Sequence, residues 1–235
     1  MKLFGLACEG ITDQPVLENI LCGYFENLEL GDEITYLQPP CDETDQQSAI
    51  KSDINGWTIL QAYLRSKRFR DDVLNTTFSI IQIDTDIAPD FLKNNNNETS
   101  EILVEKFCAK LVNTINQGEA GFYEEQVHKI IFAISVHSLE CWLYAYHNKE
   151  KLNKPKIASC HKALSHLSGK SPKNMKLDYD KDGIKKTRSN YEKLSKPFLE
   201  KQNIEAVAVK NYSFQLFIQS LETIKDIVQR KTARC

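Results

Sequence analysis

Acidic residues stand at three points where an apolar run ends. Glu9-Gly10-Ile11-Thr12-Asp13 follows the run Leu3 to Cys8, Asp84-Thr85-Asp86 follows Phe78 to Ile83, and Ser138-Leu139-Glu140 follows Ile130 to Val136. Carboxylates gathered in one place repel each other, so a site built from them calls for a cation. Hard oxygen donors suit Mg²⁺ or Mn²⁺ far better than zinc. Asp84 and Asp86 are two apart, which on a regular strand points both to one face. Asp13 comes one helical turn after Glu9, and Ser138 offers a hydroxyl beside Glu140. Mg²⁺ keeps waters and takes substrate phosphates as further ligands, which is phosphoryl-transfer chemistry. Plainer roles are open to the same residues. Glu9, Asp13 and Glu140 can serve as anions at helix N-termini, Ser138 as an N-cap, and Asp84 and Asp86 as loop acids.

The elements that would position these groups alternate. Lys2 to Cys8 is short, apolar and flanked by turn chemistry, as expected of a buried parallel strand. Residues 13–28 carry a helical apolar pattern, with Thr12 as the expected N-cap and Pro15 in the first turn. Glu33 to Gln38 is a second strand, ended by Pro39-Pro40. Residues 41–54 are polar and expected to be loop. Trp57 to Phe69 is a helix and Thr76 to Ile83 the third strand. Residues 87–98, with four consecutive asparagines, form a loop. Ser100 to Gln117 is a helix, Lys129 to Val136 the fourth strand, and Leu139 to His147 a helix starting at its end. Strand–helix alternation implies crossover connections and a mainly parallel sheet with helices on both faces. In such sheets functional groups collect at the carboxyl ends of the strands, which is where Glu9, Asp84, Asp86 and Glu140 fall.

The remainder is predicted to be a mainly helical extension. Lys149 to Lys156 is a basic linker, Ile157 to Leu167 and Ile184 to Leu199 are helices, the second interrupted at Pro197, and Ala206 to Val209 is a short strand. Phe214 to Arg230 is a final helix capped by Ser213. The run Asp178 to Gly183 echoes a calcium loop but lacks the closing glutamate at the required spacing.

At 235 residues, the chain can bury a core as one larger domain, or as one domain with an appendage. The division expected is 1–150 and 151–235. The first part holds 11 Lys and Arg against 24 Asp and Glu, a balance of −13, and the second holds 19 against 8, a balance of +11. An acidic part beside a basic one suits a cation site next to a surface that meets a polyanion; mutual neutralisation of two solvated faces is the alternative. Lys170, Lys173, Lys176, Lys185, Lys186 and Arg188 could track a phosphate backbone. The seven cysteines are odd in number and contain no C-x-x-C pair. With no signal-peptide apolar core at the N-terminus, a reduced, cytoplasmic chain is expected. No apolar stretch approaches the ~18 residues that span a bilayer. Cys160-His161 with His166 is a poor zinc candidate, since a second cysteine pair is missing.

The three acidic elements, in order, resemble the Toprim domain. E-G-I-T-D after the first strand, D-T-D after the third and S-L-E after the fourth are similar to the branch found in OLD-family nucleases and small stand-alone Toprim proteins of bacterial phage defence. Cys141-Trp142-Leu143 after Glu140 adds to the likeness, which covers roughly residues 1–150. The resemblance implies a Toprim-like α/β fold and a nuclease, with Glu9, Asp84, Asp86 and Glu140 catalytic. Glu9, Asp13, Asp84, Asp86, Ser138 and Glu140 would hold Mg²⁺ or Mn²⁺, and Gly10 would be the turn residue. It further implies DNA as the substrate, a defence role and, because no ATPase segment is present, a separate ATPase subunit; an oligomer is compatible with it. The alternatives are another phosphoryl-transfer enzyme on the same scaffold (a primase-like transferase or a phosphatase), or a non-catalytic scaffold or sensor. The family's downstream basic catalytic residue has no evident match, and His137 is set aside as structural.

Overall fold

Four parallel strands, β1 (Lys2–Ala7), β2 (Ile34–Gln38), β3 (Thr76–Asp84) and β4 (Ile130–Ser135), form one sheet in the order β2-β1-β3-β4. The computed structural model describes residues 1–40, 56–86, 99–148, 158–169 and 176–233. The α/β class and the parallel four-stranded sheet are as the alternation predicts. The register pairs Ala7 with Ile81 and Asp84 with Ser135. The carboxyl ends of β1, β3 and β4 therefore finish side by side, with β3 in the middle.

Alternation along each strand sends side chains to two different cores. Phe4, Leu6, Phe78, Ile80, Ile131 and Ala133 face one; Ala7, Ile81, Ile83, Ile130 and Ile134 face the other. The second face is covered by α2 (Gly56–Arg65), α3 (Lys67–Asn75) and α4 (Ser100–Gly118), through Leu60, Leu64, Phe69, Phe107 and Leu111. The first face is covered by α1 (Asp13–Tyr24) and α6 (Glu140–His147) together with the C-terminal helices. The short α5 (Phe122–Gln126) precedes β4.

The C-terminal part is helical, as expected, but its elements differ in detail. The helices are α7 (Cys160–Gly169), α8 (Arg188–Ser195), α9 (Lys201–Ala208) and α10 (Tyr212–Thr232). The predicted strand at Ala206 to Val209 is instead the end of α9, where Ile204 and Val207 fall one turn apart on a buried face. β-propensity yields here to packing against the same core. The predicted helix Ile184 to Leu199 starts only at Arg188. Before it, β5 (Tyr179–Asp180) and β6 (Gly183–Ile184) form a small antiparallel hairpin, and after it Lys196–Leu199 is a 3-10 turn.

Other expectations shift for identifiable reasons. The predicted helix Trp57 to Phe69 is two helices, because Ser66 is an N-cap whose hydroxyl accepts from Phe69 N. Thr12 occupies the N-cap position of α1 but makes no capping hydrogen bond. The cap of α10 is Asn211, whose Oδ1 accepts from Phe214 N at 3.1 Å. Ser213 is thereby released inward, where its Oγ accepts from Trp142 Nε1 at 3.0 Å and from Val136 N at 3.3 Å. Trp142 is fully buried and lies parallel to Phe217, with Phe214 edge-on. This aromatic stack seats α10 on α6 and β4. Cys141 and Cys160 form a disulfide between α6 and α7, contrary to the expectation of free thiols throughout. Their separation of 19 residues carries no local spacing signal. Cys8, Cys22 and Cys108 are free thiols.

α1 approaches the 3-10 turn Lys196–Leu199 very closely. A Cβ on Gly23 would stand 1.9 Å from Phe198 O, so only glycine fits. No helix among the described residues is long and apolar enough to cross a membrane.

Candidate metal centre

β1 ends at Ala7, and the chain turns through Cys8, Glu9 and Gly10 into α1. Gly10 N donates to Asp13 Oδ2 at 2.8 Å, and a Cβ on Gly10 would lie 3.2 Å from that oxygen. The glycine therefore lies in the turn between β1 and α1, packed closely on Asp13. It also shows where Asp13 points: back onto its own turn, with Thr12 Oγ1 donating to Oδ1 at 3.4 Å. Glu9 lies under the start of α2, where a Cβ on Gly56 would be 2.4 Å from Glu9 O. Its Oε2 is buried and makes no hydrogen bond.

β3 supplies the central acid. Asp84 Oδ1 accepts from Gln82 Nε2 at 2.8 Å and from Leu139 N at 3.0 Å. Gln82 is fully buried and its Oε1 accepts from Glu9 N at 3.4 Å. One amide thus bridges the ends of β1 and β3. Beyond Asp84 the chain is laced to the end of β4. Thr85 N donates to Ser135 O at 3.1 Å, Asp86 N to His137 O at 3.0 Å, and His137 N to Thr85 Oγ1 at 2.7 Å. His137 has the left-handed φ of +66°, which costs a non-glycine residue about 1–2 kcal/mol. Its Nδ1 is 3.5 Å from Asp86 Oδ2.

Glu140 opens α6 and is only 3% exposed. Its Oε1 accepts from Lys186 Nζ at 3.0 Å and from the Tyr191 hydroxyl. Lys186 follows the β5–β6 hairpin, and the hairpin is fixed from two sides. His161 Nε2 meets Ile184 O at 2.9 Å, and Ser165 Oγ accepts from Ile184 N at 2.9 Å. From α8, the buried Asn190 donates to Asp178 O and Lys185 O, both at 2.8 Å. The disulfide ties Cys141, next to Glu140, to α7, which carries His161 and Ser165.

The electrostatics follow from this crowding. Burial, then Asp13 and Asp86, push the Glu9 carboxyl up to about 8, against the Asp84 backbone amide and Lys186. Burial, then Glu140, raise Asp13 to about 7, although Gly10 N–H, Lys186 and Thr12 work the other way. Asp84 is raised well above the carboxylate range by burial, Asp13, Glu140, Glu9 and Asp86. Asp86 is raised by burial, opposed first by His137. Glu140 goes the other way. Burial pushes it up, but Lys186 and the Tyr191 and Ser138 hydroxyls overcome this and hold it at about 2. Burial also pushes the Lys186 ammonium down, and Glu140 more than offsets that, leaving it raised.

The sequence-predicted acids Glu9, Asp13, Asp84, Asp86 and Glu140 are thus brought within electrostatic reach of each other, with Ser138 on Glu140. The basic residues divide. Lys186, expected to track a phosphate backbone, sits at the acids. Lys185 remains exposed. Arg188 is committed to the protein: its guanidinium donates to Tyr36 OH at 2.6 Å and Gln14 Oε1 at 3.3 Å, and pairs with Glu18 at 3.6 Å. Lys170 and Lys173 lie outside the described residues. Sequence reasoning missed Gln82, Tyr191 and Asn190, which are polar residues inside apolar or helical patterns and carry no motif. Lys186 was assigned a surface role because its contact with Glu140 spans 46 positions of sequence.

Donor chemistry and charge fit a hard divalent cation: carboxylate oxygens, several held up by mutual repulsion, and one buried oxygen on Glu9 with no partner. Among the described residues, no three His, Cys, Asp or Glu side chains converge closely enough to hold an ion as they stand. The fit therefore rests on donor type and charge and not on coordination distances. Two recesses of about 490 and 400 Å³, at the outer side of β4 and at the opposite end of β1, contain none of these acids. No protein-family model, no curated protein and no solved structure matches this chain.

Proposed function

We propose that this chain is a Mg²⁺- or Mn²⁺-dependent nuclease that cleaves nucleic-acid phosphodiesters, with DNA as its substrate. The observation that carries the reading is that acids from three separated strand ends, Glu9, Asp84 with Asp86, and Glu140, come within electrostatic reach of one another at one edge of a parallel sheet. Phosphoryl-transfer sites are built in this way because a bound divalent ion supplies positive charge at the phosphate and a more acidic water. The chain's own groups have roles that fit. Glu9, Asp84 and Asp86 supply hard oxygen donors, with Gln82 and Leu139 N orienting Asp84. Lys186, paired with Glu140, whose carboxylate also accepts from the Tyr191 hydroxyl, presents an ammonium to the charge that develops on phosphate or leaving oxygen.

The likeness of E-G-I-T-D, D-T-D and S-L-E to Toprim proteins of the OLD branch supports the same chemistry. It alone supports a role in phage defence with a separate ATPase subunit. A non-catalytic Toprim-like scaffold is the second reading, favoured by the Glu140 carboxylate being already paired with Lys186 and bonded by the Tyr191 hydroxyl.

The test is cleavage of supercoiled plasmid and of labelled single-stranded DNA and RNA, with Mg²⁺, Mn²⁺ or EDTA, for the wild type beside Asp84→Ala/Asp86→Ala. Metal-dependent nicking that the double variant lacks is the expected result. Unchanged cleavage by the double variant would sink the site assignment. No cleavage and no metal binding would leave the scaffold.

A further inference from the structure

We propose that the site takes one divalent cation, on the side of Glu9, Asp84 and Asp86, and that Lys186 supplies the second positive charge in place of a second ion. This rests on reading the acids as a cation site and deepens it.

The acids are not equivalent. Glu140 is satisfied: its buried Oε1 receives the Lys186 ammonium at 3.0 Å and the Tyr191 hydroxyl. An ion reaching Glu140 would have to displace an ammonium and a phenol from a carboxylate that is 3% exposed. That exchange gives up two charge-assisted hydrogen bonds on a carboxylate that is already neutralised, so it gains less than binding at an unpaired acid. Asp13 is also turned away, with Oδ2 on Gly10 N at 2.8 Å.

The other side is unsatisfied. Glu9 Oε2 is buried without a hydrogen bond. Ser135 is the register partner of Asp84, so its side chain lies on the same face of the sheet. It is fully buried, and its hydroxyl also has no partner. Asp84 keeps Oδ2 after Oδ1 is taken by Gln82 and Leu139 N. Unpartnered buried oxygens are costly and rare. Here two of them accompany Glu9, Asp84 and Asp86, which, among the described residues, make no direct ion pair with a lysine or arginine; Lys186 acts on them only from its place on Glu140.

Lys186 is placed beside the acids by a fixed hairpin and by its bond to Glu140, with its side chain 61% exposed. Its hairpin is bonded to His161 and Ser165 on α7 and to Asn190 on α8. Unlike a bound ion it does not exchange with solvent, so a single metal would suffice for charge balance.

The test is Mn²⁺ binding to the full chain, counted by loss of the free-ion electron paramagnetic resonance signal and by calorimetry. Neither readout depends on cleavage. The wild type is expected to bind one Mn²⁺ per chain. Lys186→Met, which keeps the side-chain length and removes the charge, is expected to bind two, and Lys186→Arg one. Two ions on the wild type would overturn the proposal while leaving the nuclease reading intact. One ion of unchanged affinity on folded Lys186→Met would overturn it as well. No Mn²⁺ on the wild type would overturn both. If Lys186→Met fails to fold, the wild-type count still decides.

Discussion

Gln82 donates from Nε2 to Asp84 Oδ1 at 2.8 Å, and so fixes the carboxylate that sits between all the others. The amide is neutral and fully buried, and its other end accepts from Glu9 N. Residues that orient ligands in this way typically matter about 10–100-fold for affinity or activity. Gln82→Leu is therefore expected to weaken Mn²⁺ binding and cleavage by about that factor, measured by calorimetry and plasmid nicking. Gln82→Glu adds a charge to the cluster and is expected to destabilise the cation-free chain.

The raised acids make stability depend on pH in a defined direction. Glu9 and Asp13 titrate at about 8 and about 7 in the folded chain, above their ordinary 4.5 and 3.8. The folded state binds these protons more tightly, so their contribution is present below the ordinary values and is lost as pH rises through 7 and 8. Glu140, held at about 2, contributes oppositely, and its contribution is lost only as pH falls from 4.5 toward 2. In EDTA the melting temperature is expected to fall between about pH 5 and pH 8, by ~2–4 °C per kcal/mol lost. Mn²⁺ is expected to flatten the slope, and Asp13→Asn to remove part of it. A flat profile in EDTA would contradict the burial of these charges.

Gly56 touches Glu9 with no room to spare. A Cβ there would meet Glu9 O at 2.4 Å and Glu9 Cγ at 2.9 Å. Gly56→Ala is expected to shift Glu9 and lower cleavage more than it lowers the melting temperature. Gly23→Ala, which drives a Cβ into the Phe198 carbonyl, is expected to do the reverse and lower stability by several kcal/mol. Comparing both variants in thermal melts and cleavage assays separates site from scaffold.

Ser213 holds two buried donors, Trp142 Nε1 and Val136 N. Ser213→Ala leaves both unsatisfied and is expected to cost ~1–3 kcal/mol for each donor by urea denaturation. Indole fluorescence should report the change, since Trp142 is one of only two tryptophans.

The disulfide Cys141–Cys160 braces the helix of Glu140 against the helix that holds the Lys186 hairpin. Closing a loop of this length contributes about 3 kcal/mol in the chain-entropy description. Cys141→Ser/Cys160→Ser is expected to lose stability on that scale. The wild type in strong reductant should approach the same melting temperature, provided the reductant reaches the buried sulfurs.

The sheet and its acids were legible in the sequence because they announce themselves locally. Each strand is an apolar run closed by a turn signal, and Glu9, Asp84, Asp86 and Glu140 stand at those closures. What was not legible is what the chain brings together over distance. Lys186 looked like one more lysine in a basic tail until the hairpin and Asn190 carried it to Glu140. Ser66 interrupts a helical pattern that is continuous in its apolar positions, so only its hydroxyl bond to Phe69 N reveals two helices. Ala206 to Val209 looks like a strand by residue type, yet its neighbours bury Ile204 and Val207 at helical spacing. Arg188 shows the converse: a charge that seemed free for a partner is held by Tyr36, Gln14 and Glu18.

One core spans both halves of the chain, from Leu3, Phe4 and Ile80 to Phe214, Phe217 and Val228. This makes the molecule indivisible in practice. A fragment stopped at Asn148 would keep all five acids and the whole sheet. It would also turn the part of that sheet's flank covered by the C-terminal helices, with the Trp142 ring, toward water, and would clump before it could be assayed. Silence from such a fragment would therefore report on solubility, and not on whether the acids can do chemistry.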